Sequence, residues 1–150
     1  SVLINCFNHL SFHNIPSHDI TTEKAQLIIM KTENILDQNA LKDLLEMAGD
    51  DAYDMIADII DCYLEDSPHH LQQLDEGLKD NNAKLLAHVA HTLKSSSGSL
   101  GAKHLSQLCQ ELENLGKSEI LEKTEDLVTQ IKTEYEQVAL ALKEYLIQLK

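Results

Sequence analysis

One histidine stands on the outer face of a helix that the sequence predicts over residues 82–100. With His91 at 0° and about 100° added per residue, the core-facing positions fall roughly opposite to it, between about 120° and 220°. These positions are Leu85, Leu86, Val89, Leu93, Ser96 and Leu100. His91 therefore faces water at least in part. A neutral imidazole is a nucleophile near pH 7, so the chemistry expected here is transfer of a group onto a ring nitrogen.

The residues that share the face of His91 are small. Ala87, Ser95 and Gly98 stand where a solvated helix normally carries Glu, Lys or Gln. Small residues around one imidazole are expected if the surface of another protein must come close to it. An exposed histidine without function in a serine-rich stretch is the alternative interpretation.

Two lysines place positive charge near the ring. Lys94 lies one turn after His91 and Lys84 lies two turns before it, in a chain of net charge −13. Such charge suits a phosphoryl group on the imidazole or an acidic pocket on a partner. The surface predicted to meet a partner comprises Lys84, Ala87, His88, Ser95, Gly98 and Gly101.

The overall charge narrows the classes of partner. All 12 basic residues are lysine, against 25 acidic residues, and 4% of the chain is aromatic. A chain with no guanidinium groups and few aromatic side chains for stacking on bases is a poor nucleic-acid binder, and anionic membranes repel it. No apolar run approaches the roughly 18 residues needed to cross a bilayer, so we expect no membrane insertion. Three cysteines without a Cys-x-x-Cys pair favour a reducing cytoplasm.

Long helices must position these residues, because five glycines and two prolines in 150 residues are too few for the turns of a sheet fold. A first apolar stripe stops at Gly49. A second runs from Asp50 to about Asp80, and within it Pro68 either kinks the helix or starts a new one. Three further helices are predicted: from Asn81 or Asn82 to about Leu100, from Ala102 to Leu115, and from Ser118 to the end of the chain.

This pattern predicts an all-α fold, an antiparallel up-and-down four-helix bundle with a short extra N-terminal helix, over residues 34–150. Residues 1–33 differ in composition and are interpreted as an N-terminal extension without a predicted structure. A first residue other than Met is typical of a piece cut from a longer chain.

No metal site is predicted. His9 and His13 could share a metal on a helix, but scattered histidines in an extension are the simpler interpretation. Residues 65–66 with His69 only loosely approximate the paired Glu-x-x-His of bundle metalloproteins. A bundle metalloprotein is therefore a weak alternative.

The run from Ala90 to Ala102 resembles the signature of histidine-containing phosphotransfer (HPt) domains. In that signature, Lys follows the His after three residues, and Gly follows it after four and after ten. The matching residues are His91, Lys94 and Gly101, and the downstream pattern is similar at Cys109, Leu112, Glu113 and Gly116. The resemblance covers about residues 34–145. Ser95 stands where the family usually has the first Gly, which puts the rate of transfer in question more than its existence.

The resemblance implies a phosphorelay intermediate. His91 would accept a phosphoryl group from the aspartate of one receiver domain and pass it to another response regulator. Lys94 would stabilise the phosphoryl charge. Glu113 matches the position that orients the other ring nitrogen, although by itself it reads as a surface residue near a helix end.

The partners implied are response-regulator receiver domains and a hybrid sensor histidine kinase. The receiver would bring Mg²⁺, so this chain needs no cofactor, and we expect a monomer. Two alternatives stay open beside the metalloprotein: a bundle that binds receivers without accepting phosphate, and the phosphorylated module of a chemotaxis-type kinase. Whether the chain counts as an enzyme, or forms the end of a larger kinase, is left open.

Overall fold

The computed structural model describes residues 35–149, and the predicted extension over residues 1–33 lies outside them. Five helices follow one another along the described chain: α1 (Gln38–Ala48), α2 (Ala52–Lys79), α3 (Ala83–Ser99), α4 (Lys103–Lys117) and α5 (Thr124–Leu149). A 3-10 turn, Gly49–Asp51, joins α1 to α2. The connections that join α2 to α3, α3 to α4 and α4 to α5 are short, so consecutive helices are antiparallel. Helix α5 packs back against α2 and closes the bundle.

Helix α1 begins at Gln38, and its C-cap residue Gly49 ends it where the sequence predicts its end. The Asp37 side chain accepts a hydrogen bond from the backbone N–H of Asn39 at 3.0 Å, which caps the first turn. Gly49, with φ of 65°, ends the helix in the left-handed region that glycine adopts without strain. Leu36 and Leu41 are buried, so α1 covers one end of the bundle core.

Gly101 has a structural role that differs from its predicted place on the partner surface. It is buried, and its carbonyl accepts a 2.8 Å hydrogen bond from the backbone N–H of Asp37. Its φ is 85°, and a Cβ there would lie 2.9 Å from the Asp37 carbonyl oxygen. The prediction that Gly101 faces a partner is therefore wrong, because the entry to α1 covers the α3–α4 turn.

Helix α2 passes through Pro68 without a break. Pro68 has no N–H to give the preceding turn, and next to it the Ser67 hydroxyl donates to the carbonyl oxygen of Tyr63. The Tyr63 hydroxyl in turn pairs with that of Ser97 on α3 at 2.7 Å. Tyr63 and Leu74 are buried on either side of the proline, so packing holds one continuous helix. The alternative that Pro68 starts a new helix is wrong.

The last helix starts later than the sequence predicts. Ser118 is the C-cap residue that follows α4, and α5 begins only at Thr124. Glu119 and Lys123 have φ values of 58° and 68°, in the left-handed region that a right-handed helix cannot include. The apolar Ile120, assigned to the helix from its spacing, is instead 49% exposed in the connection.

Helices α3 and α4 approach each other closely at Gly116. A Cβ on Gly116 would lie 2.8 Å from the Ala83 carbonyl oxygen and 2.9 Å from the Cβ of Ala87. Only residues without bulk fit at this crossing. The small side chain of Ala87 therefore serves helix packing, and the close crossing brings the inner face of α4 against α3 near His91.

Candidate functional site

His91 lies on α3 with its side chain 59% exposed. The Asn82 side chain caps the start of this helix by accepting a 3.1 Å hydrogen bond from the backbone N–H of Leu85. Val89 and Leu93 on the opposite side of the helix are buried in the core. The ring therefore stands at the surface, as the helical periodicity predicts, but it leans toward α4 to make a contact there.

That contact is with Glu113, whose side chain is only 2% exposed. Oε2 of Glu113 lies 3.1 Å from Nδ1 of His91, and Oε1 lies 2.6 Å from Nζ of Lys94. Nζ of Lys117, one turn further along α4, lies 2.8 Å from Oε2. A buried carboxylate requires such partners, because an unpaired one would be strongly destabilised. Glu113 is thus an interior residue, and its interpretation as a surface glutamate is wrong.

The partners of Glu113 keep it ionised. The Lys117 and Lys94 ammonium groups, with the His91 ring, lower the pKa of the carboxyl from 4.5 to about 2, against the opposing effect of burial. A carboxylate accepts hydrogen bonds and donates none, so Nδ1 of His91 must carry the ring proton in this contact. In the neutral form of the ring, the lone pair is then on Nε2, which is its one nucleophilic nitrogen.

Lys94 is more constrained than its sequence position suggests. It is 24% exposed, and its ammonium group is held by Glu113 Oε1 and, at 3.0 Å, by Oε1 of Gln110. The Ser106 hydroxyl donates to the Lys94 backbone carbonyl oxygen at 3.1 Å. These contacts fix Lys94 against α4, where it anchors the orienting carboxylate.

Lys117 is a site residue that the sequence did not predict. One signal was available, since Lys117 follows Glu113 by four residues and therefore shares its helix face. Its importance depends on the burial of Glu113, however, and helical spacing alone does not reveal that burial.

The remaining residues of the predicted partner surface lie around the ring with different exposure. Lys84, His88, Ser95 and Gly98 are exposed, and Ala87 is half-buried against α4. A Cβ on Gly98 would lie 3.3 Å from the Ser106 hydroxyl oxygen, so part of the small-residue pattern again reflects the approach of α4.

A groove between α2 and α3 flanks the site and was not predicted. Its volume is about 270 Å³, and Thr92, the neighbour of His91, lines it. Other lining residues are Ile59, Tyr63, His70, Ser96 and Leu100. The Ile59 side chain is partly exposed at its edge, so apolar surface lies within reach of a protein that approaches the imidazole.

Within residues 35–149, no group of three or more His, Cys, Asp or Glu side chains is arranged to hold a metal ion. His9 and His13 lie outside the described residues. None of the helices of the described segment is both long and apolar enough to cross a membrane.

Known proteins resemble this chain over the same helices. The Hpt domain family matches residues 58–141. Multistep phosphorelay regulator 1 of Schizosaccharomyces pombe is 27% identical over 88 residues, which make up 59% of this chain and 30% of the regulator. The aerobic respiration control sensor protein ArcB of Escherichia coli is 28% identical over 95 residues, or 63% of this chain and 11% of ArcB. The chain therefore spans less than a third of either relative.

Two solved structures share the fold. Histidine-containing phosphotransfer protein B (HptB) from Pseudomonas aeruginosa has a TM-score of 0.69 and 28% identity, covering 76% of this chain and 96% of its own. The histidine-containing phosphotransfer domain of Escherichia coli ArcB has a TM-score of 0.68 and 23% identity, covering 80% of this chain and 99% of its own. The likeness to the ArcB domain concerns the fold alone. Together the two structures confirm the predicted all-α bundle.

Proposed function

The chain belongs to the Hpt domain family, and from this premise we propose that His91 takes a phosphoryl group from the aspartate of one receiver domain and passes it to that of another. The observation that carries the proposal is the exposed imidazole whose Nδ1 is bound by the buried carboxylate of Glu113. This contact leaves Nε2 as the nucleophile at the surface.

The transfer is a displacement at phosphorus. The Nε2 lone pair forms the N–P bond while the bond between phosphorus and the aspartyl oxygen of the donor breaks, and the aspartate leaves as a carboxylate. The proton on Nδ1 stays in place, donated to Glu113. The product ring is a phospho-imidazolium, and the carboxylate of Glu113 stabilises its positive charge. The reverse displacement hands the group to the second receiver.

Lys94 contributes positive charge beside the ring. It lies one helical turn from His91, and its ammonium group, 24% exposed, is already bound to the Glu113 carboxylate. A cation held in this way needs little reorganisation when negative charge arrives on the ring. In this proposal the receiver supplies Mg²⁺ and the acidic pocket, and this chain holds no cofactor.

The receiver would approach over the exposed small and basic residues of α3. Ser95 and Gly98 leave room beside the imidazole, while Lys84 and His88 extend the surface along the helix. Ile59 on α2 adds apolar contact area on the other flank. The expected partners are response-regulator receivers and a hybrid sensor histidine kinase, each engaged by a monomer of this chain.

The test is transfer from a receiver domain whose aspartate has been phosphorylated with a radiolabelled phosphodonor. We expect acid-labile phosphate to move onto the intact protein, and the H91Q variant to lose more than 99% of this transfer. H104Q is the matched control, because His104 is an exposed histidine outside the site, and it should transfer as the unsubstituted protein does. Transfer that survives H91Q would refute the assignment.

The same experiment separates the alternatives. If the receiver binds but no phosphate moves, the chain is a receiver-binding module. If phosphate arrives only from a kinase domain with ATP, and never from a receiver, the chain is the phospho-accepting module of a chemotaxis-type kinase. Either result contradicts the receiver-to-receiver relay.

A further inference from the structure

Lys117 is the charged group of the Glu113 cluster that the proposed transfer leaves without a role. Its Nζ lies 2.8 Å from Oε2 of Glu113, and Nδ1 of His91 lies 3.1 Å from that same oxygen. The ammonium group is therefore within about 6 Å of the ring. Lys94 instead binds the other carboxylate oxygen. Of the two lysines, Lys117 is the one that shares an acceptor atom with the imidazole.

We propose that Lys117 is a positioning residue whose charge keeps the His91 imidazole unprotonated, and therefore nucleophilic, and offsets the charge of the phosphorylated ring. The inference rests on the proposed function, since it assigns Lys117 to the same transfer. Glu113 alone would favour a protonated, unreactive imidazolium, because an adjacent carboxylate stabilises a positive ring. Lys117 counters this effect at the oxygen through which it acts.

The charge balance of the site supports this role. Glu113 contributes −1, and Lys94 and Lys117 contribute +1 each, so the cluster carries +1 beside a neutral ring. A phospho-imidazolium combines a ring charge of +1 with a phosphoryl charge of about −2. The phosphorylated site is then close to neutral. Without Lys117 the cluster is neutral before transfer and carries about −1 after it.

Burial of the linking carboxylate holds Lys117 beside the ring. Lys117 is 66% exposed and His91 is 59% exposed, but the Glu113 carboxylate that both contact is nearly inaccessible to water, so water competes little for these two contacts. Other charged or titratable groups near the ring lie on α2, where Asp66 and His70 line the groove on the Thr92 side, and on α3, where His88 is exposed. None of these groups bonds to Glu113.

The decisive variant is K117M, which removes the charge while keeping a long side chain. Protonation of His91 is followed through the ring Cε1–H resonance in a pH titration, and H91Q identifies that resonance. At about 6 Å, even a water-like dielectric gives a shift of about half a pH unit. We expect the midpoint in K117M to move to higher pH by about this amount at low salt, and K117R to restore it.

K42M is the matched control, because Lys42 is an exposed lysine on α1 and its loss changes the net charge equally. Its titration should coincide with that of the unsubstituted protein. If the K117M midpoint coincides with that of K42M, or moves to lower pH, the role of Lys117 is refuted. Urea unfolding of each variant at pH 7 verifies that the ring is measured in a folded bundle.

A second measurement follows phosphorylation of His91 by phosphoramidate, a small phosphodonor that needs no receiver. On the acidic side of the titration, a half-unit shift lowers the unprotonated fraction about threefold, so K117M should react about threefold more slowly than K42M. The two proposals fail separately. Persistent phosphorylation of H91Q would overturn the function of His91 without changing the titration, and an unshifted titration would overturn the role of Lys117 without affecting the transfer.

Discussion

At the scale of single residues, the site depends on a carboxylate that water barely reaches. Glu113 stays ionised because Lys117, Lys94 and His91 bond to it. The cluster therefore serves chemistry and stability together: it selects the tautomer of His91, and it compensates the desolvation of a buried charge.

The E113Q variant tests this link through pH. The pKa of Glu113 is lowered to about 2 in the folded protein from its ordinary 4.5. The folded state therefore favours the ionised carboxylate more than the unfolded state does. The resulting stability is complete above about pH 5 and is lost as the pH falls from 4.5 toward 2. We expect E113Q to be less stable by about 1–3 kcal/mol at pH 7, and the difference to shrink below pH 4.

Urea unfolding of both proteins at pH 7, 4 and 3 measures that difference. E111Q is the matched control, since Glu111 is an exposed glutamate on the same helix. A stability gap for E113Q that stays constant across this range would show that the carboxylate is not held in its ionised form.

At the scale of elements, the crossing of α3 and α4 sets the distance between His91 and Glu113. Gly116 permits this crossing, because the backbone and side chain of Ala87 and the carbonyl of Ala83 occupy the space where a Cβ would project. Glu113 lies one turn before this glycine. Any widening of the crossing therefore acts directly on the contact between the carboxylate and the ring.

G116A should consequently destabilise the bundle by about 1–3 kcal/mol, because fixed backbone atoms cannot yield to the added methyl group. It should also weaken the Nδ1–Glu113 hydrogen bond, visible as a shift of the His91 ring nitrogens in ¹⁵N NMR spectra. G98A is the control. Its methyl group meets only the Ser106 side chain, at 3.3 Å from the hydroxyl oxygen, and replacing glycine in a helix can stabilise by up to about 1 kcal/mol. Equal unfolding midpoints for the two variants would contradict this account.

At the scale of the whole molecule, one core connects all four long helices. Buried side chains from α2 to α5 form this core together with Cys109 on α4, which is inaccessible to solvent. Burial raises the pKa of the Cys109 thiol to about 12. Cys62 on α2 is exposed, so the same chain carries an internal reference for thiol reactivity.

Alkylation at pH 8 therefore reports global unfolding. Only the thiolate reacts, and a thiol with a pKa of about 12 is about a thousandfold less ionised than one near 9. Of the two cysteines within residues 35–149, we expect iodoacetamide to modify Cys62 first and Cys109 only as fast as the bundle unfolds, as resolved by peptide mapping. Addition of urea should accelerate the alkylation of Cys109 far more than that of Cys62. Similar rates in the absence of urea would indicate an open core.

The helices follow from local patterns, with one informative exception. Apolar spacing, the asparagine cap at Asn82 and the glycine stop at Gly49 are signals within a few residues, and they placed most helix ends correctly. The predicted start of α5 is wrong, because Ile120 and Leu121 have the spacing of a helical apolar stripe although they precede the helix. Nothing local marks the left-handed conformation of Glu119 and Lys123.

The sequence by itself determined that the chain is a helical bundle and that His91 lies at its surface, since both follow from a periodicity of 3.6 residues along single helices. Only the tertiary structure decided which charges meet the ring. Glu113 lies 22 positions from His91, and their contact depends on how closely α3 and α4 cross. That crossing also buries Glu113, places Lys117 beside the site, and makes Ala87 part of the helix contact. Sequence patterns along one helix do not show this, because the separation of two helices is set by the side chains of both at once.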